Sequence, residues 1–428
     1  MSSVSQVEER GVLEGVLHLG LSGEQHGQYV SDVAINNTPR HTRLDSEFCS
    51  IIIHHAEGIS LPLASSLTTT ASTNDDSSTI MGLHIGQDST TKKDLYAVFP
   101  NLWVSFVPWN PAINPNYKLV KKESNAYMME TLGRTLSQYA KPRAGKFPLY
   151  AAIQLPTASA ETLRTCADWY GWVFEFDDQF DEDGIFIKDP EKGIRHAEHV
   201  LSVFSDDCGL WAGTSPLKEM FASLWMRFKK GMPKDAQELY IKRNTEFIMA
   251  LIQQMNLTTT PNFKNLQDWF NFRRDSIGVL PGFTFALYVH GLTISRDIIE
   301  SDHIREMEYM AIEIILLTND ILSYPKEGPD HMYNTTAFLK KSRGLSTQEA
   351  FDEIGLLLDE RFKKWDSLMA TLPSWGEEND RQVQLYLDGV KGHVSSNTNW
   401  SFMSQRFFGR DGQAVKETRR IKLTPELQ

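Results

Sequence analysis

Residues 160–182 read "AETLRTCADWYGWVFEFDDQFDE", and the fold of the chain turns on how this stretch is read. Steps of three and four pick out Leu163, Cys166, Tyr170, Val173, Asp177 and Asp181, which share one helical face. That face is apolar until its last turn, where it becomes carboxylate. Asp178 and Glu182 lie one position round on the same turns. A bundle that buries this face aims Asp177 and Asp181 at the rim of its interior. Ionised carboxylates crowded there repel one another and lose hydration. Cations relieve both costs. An all-oxygen ligand set suits hard Mg²⁺, which keeps waters and shares itself with substrate phosphates. An acidic helix end fraying into the turn-like "DEDG" (181–184) fits the same residues, so the stretch alone leaves both readings open.

Around it the chain reads as helix. Apolar residues recur at three- and four-residue spacing in 123–140, 160–182, 192–205, 216–230, 235–256, 304–323, 348–369 and 380–403. Breakers such as "KPRAGKFP", "GMPKD" and "TTTPN" separate these segments. There is no run of alternating strands and no internal repeat. The expectation is an all-α protein: a single helical bundle over 95–410 whose helices surround a cavity, followed by a polar C-terminal tail, 411–428. Residues 1–94 differ in character. "LASSLTTTASTNDDSST" (63–79) packs poorly and predicts a largely disordered extension, with "FCSIIIHH" (48–55) as a candidate strand.

Composition narrows the function. Of 428 residues, 41% are hydrophobic, enough for a sizeable core. The net charge of −12 argues against a nucleic-acid partner, which wants a basic face. Cys49, Cys166 and Cys208 form no CxxC pair, which suits a reducing compartment. The N-terminus shows no basic stretch followed by an apolar core, and no apolar run is long enough to suggest a membrane span. The expectation is a cytoplasmic protein, monomeric or homodimeric.

A second polar face lies in "LLTNDILSYPKE" (316–327). Asn319, Ser323 and Glu327 continue the apolar stripe of Ile312, Ile315 and Leu316 on successive turns. An amide oxygen, a hydroxyl and a carboxylate so spaced make a three-point oxygen site for one divalent cation. A helix surfacing from the core would show the same residues. Pro325 cannot donate a backbone hydrogen bond and predicts a loosened or kinked segment around Ile321.

Together the two stretches resemble the class I terpene synthases, the sesquiterpene cyclases of fungi and bacteria. "DDQFDE" (177–182) is similar to their DDxxDE motif, and "NDILSYPKE" (319–327) to their second metal motif, NDxxSxxKE. "FRRDSIG" (272–278) resembles their diphosphate-sensor segment, with Arg273 at the family's distance ahead of Asn319 and with Ser276 and Ile277 at the linker and effector positions. "NWSFMSQRFFG" (399–409) resembles their C-terminal signature, with Phe407 where a tyrosine is usual. "NPNYKLVKKESNAYM" (114–128) and "SLWMRF" (223–228) also look like family segments. The surroundings resemble the fungal presilphiperfolanol-type synthases as much as any others.

The resemblance implies a prenyl diphosphate substrate, farnesyl diphosphate for a C15 enzyme, and three Mg²⁺ ions, with Mn²⁺ as a substitute. It implies that Asp177, Asp178, Asp181, Glu182, Asn319, Ser323 and Glu327 hold metal. Arg273, Lys326 and Arg406 would meet the diphosphate, and Asp177, Arg273 and Asn319 would be the leading catalytic residues. Loss of diphosphate would leave a carbocation, which aromatic faces stabilise without trapping it. Phe174 and Trp400 are candidate cavity-lining rings. Two other readings compete. A chain-elongating prenyl diphosphate synthase would carry a second DDxxD, which the sequence lacks. A non-catalytic helical protein that binds isoprenoid diphosphates draws only on Phe407 and Pro325.

Overall fold

The structure, a computed structural model, describes residues 95–427 except 182–183, 206–214, 257–262 and 332. The Ser/Thr-rich extension and the candidate strand at 48–55 lie outside the described residues, as does Glu182.

Helices dominate what is described. Near the N-terminal side are α1 (Tyr117–Thr131), α2 (Ala140–Gly145), α3 (Phe147–Gln154) and α4 (Ala160–Asp177). The middle of the chain forms α5 (Pro190–Leu201), α6 (Pro216–Gly231), α7 (Lys234–Asn256), α8 (Leu266–Ser276), α9 (Leu280–His290) and the short α10 (Arg296–Ile299). Then come α11 (Asp302–Glu327), α12 (Thr335–Arg343), α13 (Thr347–Ala370), α14 (Glu377–Met403) and α15 (Gly412–Thr418). The starts carry local signals. Ser159 accepts from the Thr162 amide at the head of α4, and Ser346 with Glu349 forms a capping box on α13. Proline opens α5 and α6, where its missing N–H costs nothing.

The sequence expectation for α1 overran. The helix begins at Tyr117 and stops at Thr131, because Gly133 takes a positive φ and the chain turns away. "KPRAGKFP" is not a break either: α2 and α3 run through it, separated by Lys146 alone. The periodic segments included none of α2, α3, α8, α9, α10, α12 and α15, and three of these bear on the site. Two of them, α3 and α9, are apolar all round and sit at the centre, against α4 and α14. The third, α8, carries Arg273.

The C-terminal segment is not a loose polar tail. Residues 420–423 form a strand, β2, antiparallel to β1 (Leu95–Val98), with Leu95 opposite Leu423 and Val98 opposite Arg420. Ile421, Leu423 and Leu427 are buried. Alternation of small apolar and polar residues in so short a run was too weak to read as a strand without its partner. Among the described residues, no helix is long and apolar enough to cross a membrane.

Pro325 does not end its helix. α11 continues through it to Glu327 and ends at Gly328, whose φ is positive. The proline sits so near the C-terminus that only one late intrahelical bond is lost.

Candidate active site

The last turn of α4 and the break between α8 and α9 open on one cavity of about 620 Å³. α7, α11 and α14 contribute further walls.

The acidic wall comes first. α4 ends at Asp177 rather than running on to 182, and Asp178 is its C-cap. The chain then turns sharply, with the Phe180 amide donating to the Asp177 carbonyl at 2.8 Å. Phe180 is buried among Phe176 and Phe186, with ring centroids 5.0 Å away in each case. That aromatic anchor holds the acidic turn in place. Asp177, Asp178 and Asp181 all line the cavity, although Asp181 has left the helix whose stripe predicted it. Burial, then the neighbouring Asp181 and Asp178, push the Asp177 carboxyl well above its ordinary range. Burial and Asp178 push Asp181 up to about 6.

Across the cavity stands α11. Asn319 and Glu327 line it, together with Asp320. Ser323 does not reach the cavity surface. It is fully buried behind Glu327, donating from Oγ to Glu327 Oε2 at 2.9 Å. Asp320 accepts from the Thr335 amide at 2.7 Å and from Thr335 Oγ1 at 2.6 Å. Burial raises its carboxyl to about 6 despite the opposing pull of Arg273. Glu327 also raises the Asp181 carboxyl, so the two motifs sense each other across the space.

Cationic groups converge on the same rim. Arg273 is buried and lines the cavity. Its Nη1 donates to Ser276 Oγ at 3.0 Å, while Nε has no partner. Its neighbour Arg274 turns the other way, into a buried ion pair with Glu313, which also takes Arg361 at 2.7 Å. Between Arg273 and α9, Gly278 has a φ of +71°, and a Cβ there would lie 2.8 Å from the Phe247 ring. Only glycine satisfies both demands, so the turn brings Ser276 and Ile277 to the cavity. Lys326 lines the rim. Partial burial and Arg406 push its ammonium down in pKa. Arg406 packs its guanidinium 4.8 Å over the Phe174 ring.

The interior is aromatic and weakly polar. Phe174, Tyr150, Trp169, Tyr170, Phe247 and Phe407 contribute to the lining. Trp400 does not. It is buried one layer back, stacked on Phe174 at 5.5 Å, with its Nε1 donating to the Gly145 carbonyl. The sequence offered Trp400 as a cavity-lining ring, but Phe174 stands in front of it. Other lining residues went unremarked in the sequence: Lys141, His331, His393 and Asn397. His331 had a signal, since it continues the 319–323–327 spacing. The others come from segments that bear no motif. Burial pushes the His393 imidazole down to about 3, so it is neutral.

The donor set fits divalent cations shared with a ligand. Oxygen atoms of Asp177, Asp178 and Asp181 face Asn319 and Glu327, and the raised carboxyls mark charge that a cation would relieve. Among the described residues no three His, Cys, Asp or Glu side chains come close enough to cage an ion alone. Hard cations that keep waters and bind substrate oxygens need no such cage.

Comparisons with known proteins agree with this architecture. Residues 168–364 match the family described as terpene synthase family 2, C-terminal metal binding. The silphinene synthase of Penicillium patulum is 31% identical over 78% of this chain and 92% of its own length. The (+)-eremophilene synthase of Gibberella fujikuroi is 29% identical, over 76% and 92%. The crystal structure of an α-eudesmol synthase superposes with a TM-score of 0.63, at 20% identity, over 70% of this chain and 98% of that one. At that identity the likeness shows the fold.

Proposed function

This chain belongs to the terpene synthase family, and from that premise we propose that it converts farnesyl diphosphate into a polycyclic sesquiterpene in a Mg²⁺-dependent reaction. The observation that carries the reading is the division of one cavity into an acidic, cation-ready rim and an aromatic interior. The relatives are named as cyclising synthases, so chain elongation and binding without turnover are set aside.

The bound metal would neutralise the departing diphosphate without proton bookkeeping. Asp177, Asp178 and Asp181 would hold it on one wall, with Asn319, Ser323 and Glu327 on the other. Glu182 belongs to the same motif and is proposed with them. Three ions are proposed, and Mn²⁺ as a substitute. Arg273, Lys326 and Arg406 bind and orient the diphosphate. Arginine does so with a planar fork of donors. Arg273 lines the cavity and its buried Nε has no protein partner. Arg406 holds part of its charge over Phe174 until an anion arrives.

The apolar walls then exclude water from the carbocation. Phe174 and Tyr170 offer ring faces, which attract positive charge and are poor nucleophiles. Trp400 stiffens Phe174 from behind. The loss of the usual tyrosine hydroxyl at Phe407 leaves more of the diphosphate binding to Arg406 and Lys326.

The test is purified protein with farnesyl diphosphate, with and without Mg²⁺. Metal-dependent release of diphosphate together with a cyclic C15 product is expected by gas chromatography. Absence of both with C10, C15 and C20 substrates overturns the proposal.

A further inference from the structure

The turn that starts α12 touches every buried member of the second polar motif. Asn334 is its N-cap and is fully buried. Its Oδ1 accepts from the Thr336 amide at 2.8 Å and from the Ala337 amide at 3.4 Å. Its Nδ2 points back at α11. There it lies 2.8 Å from the Asp320 carbonyl, 2.9 Å from Glu327 Oε2 and 3.3 Å from Ser323 Oγ. Thr335, the next residue, donates twice to the Asp320 carboxylate.

We propose that Asn334 is a positioning residue for the second cation site: with Ser323 behind it, it fixes the Glu327 carboxylate, which lines the cavity, in its metal-accepting orientation before any cation binds. The inference rests on the reading of Asn319, Ser323 and Glu327 as ligands.

Hydrogen-bond chemistry explains the device. An amide has two N–H donors. One goes to the Asp320 carbonyl and locks the amide to the α11 backbone. The other goes to Glu327 Oε2. The Ser323 hydroxyl spends its single proton on the same oxygen. Glu327 therefore takes two donors on Oε2, which stops the carboxylate from rotating. Ser323 Oγ in turn lies within reach of the Asn334 amide at 3.3 Å, which closes a three-member network behind Glu327. A free glutamate near a helix end would lose rotamer freedom on binding metal. Here the cost falls at folding.

The arrangement also assigns Asp320 a task its place in the motif hides. It lines the cavity, yet Thr335 takes up its carboxylate, and this ties α12 to α11. Asp320 braces the turn that presents Asn334.

Asn334→Ser tests the proposal. Serine is a good N-cap, so α12 keeps its start, but its side chain is too short to reach Glu327 and has no amide. Asn334→Thr is a second capping variant and must behave alike. Asn334→Ala removes cap and donor together. Mn²⁺ binding in the presence of inorganic diphosphate is followed by electron paramagnetic resonance, and melting temperature is measured without metal. The expected result is Mn²⁺ affinity about 10-fold weaker in all three variants, the scale seen for partners of metal ligands. Melting temperature should fall clearly only in the alanine variant. Wild-type affinity in Asn334→Ser or Asn334→Thr overturns the proposal, as does affinity that falls only where melting temperature falls. Wild-type protein that binds no Mn²⁺ overturns instead the ligand reading beneath it.

Discussion

Arg406 donates from Nη2 to Asp178 Oδ1 at 3.1 Å, joining the C-terminal signature to the acidic end of α4. The pair is half open to solvent on the aspartate side, so it adds little stability. Its interest is that both partners face the cavity. A cation on Asp178 would free Arg406 for an anion, so loading one partner prepares the other. Arg406→Gln is therefore expected to leave the melting temperature nearly unchanged. It should lower kcat/KM by about 10–100-fold, the worth of one or two charge-assisted hydrogen bonds. Inhibition by inorganic diphosphate should weaken in parallel. Unchanged inhibition would show that Arg406 does not meet the anion.

Two adjacent arginines offer a sharper contrast. Arg273 lines the cavity, with a buried Nε that has no partner, and Arg274 is locked to Glu313 beside Arg361. Arg273→Ala should reduce turnover by on the order of 100-fold or more, as removal of a donor to developing negative charge does, while the protein keeps its fold. Arg274→Ala removes one of the two arginines on buried Glu313 and, with Arg361 still in place, should cost about 1.5–3 kcal/mol of stability. Urea denaturation beside steady-state kinetics separates the two. Equal behaviour of the variants would sink the assignment of Arg273.

Spacing ahead of Asn319 singled out Arg273, but it could not show that Arg274 is tied to Glu313 on another helix. What it could see were helices with one polar face. The apolar-to-acidic change along α4 and the Asn319–Ser323–Glu327 row on α11 were legible for that reason. α3 and α9 were not, since a helix buried on all sides carries no contrast between faces. Asp181 shows a different limit. It reaches the cavity by a turn pinned by Phe180, not by the helical periodicity that singled it out. Asn334 was invisible because its meaning lies in contacts with residues on another helix. The inward rings had the same difficulty: Trp400 was a candidate for the lining, but Phe174 stands between it and the cavity.

Phe174 lies under a guanidinium and over two rings, Phe147 at 4.4 Å and Trp400 at 5.5 Å. Phe174→Leu keeps apolar volume and removes the π face. Diphosphate release should fall less than about 10-fold, since cation–π support is worth about 1–2 kcal/mol. The product mixture should shift toward acyclic or monocyclic compounds, because the cation is less well held. Trp400→Phe, one layer back, should lower stability more than it alters the mixture. Gas chromatography of both variants decides the point. An unaltered mixture from Phe174→Leu would remove that ring from the list of cation contacts.

Metal and pH should be linked through the acidic wall. Burial, with mutual repulsion, raises Asp177 well above the usual aspartate range and Asp181 to about 6. A carboxyl whose pKa is higher in the folded chain than in the unfolded one favours folding in its protonated form. Its contribution is present at low pH and is lost as pH rises from the ordinary aspartate value through the raised one. Without metal, these groups should make the protein less stable as pH rises through about 6. Asp320, also raised to about 6, adds in the same direction. Mg²⁺ with inorganic diphosphate binds the deprotonated wall and should reverse the loss. The rise in melting temperature on adding them should be small near pH 5 and much larger near pH 8, by linkage. Asp177→Asn should flatten that difference and remove most turnover while leaving helix content intact. Thermal melts of both proteins at the two pH values check this. A metal-induced rise that is the same at both, or that survives unchanged in Asp177→Asn, would mean the cations bind elsewhere.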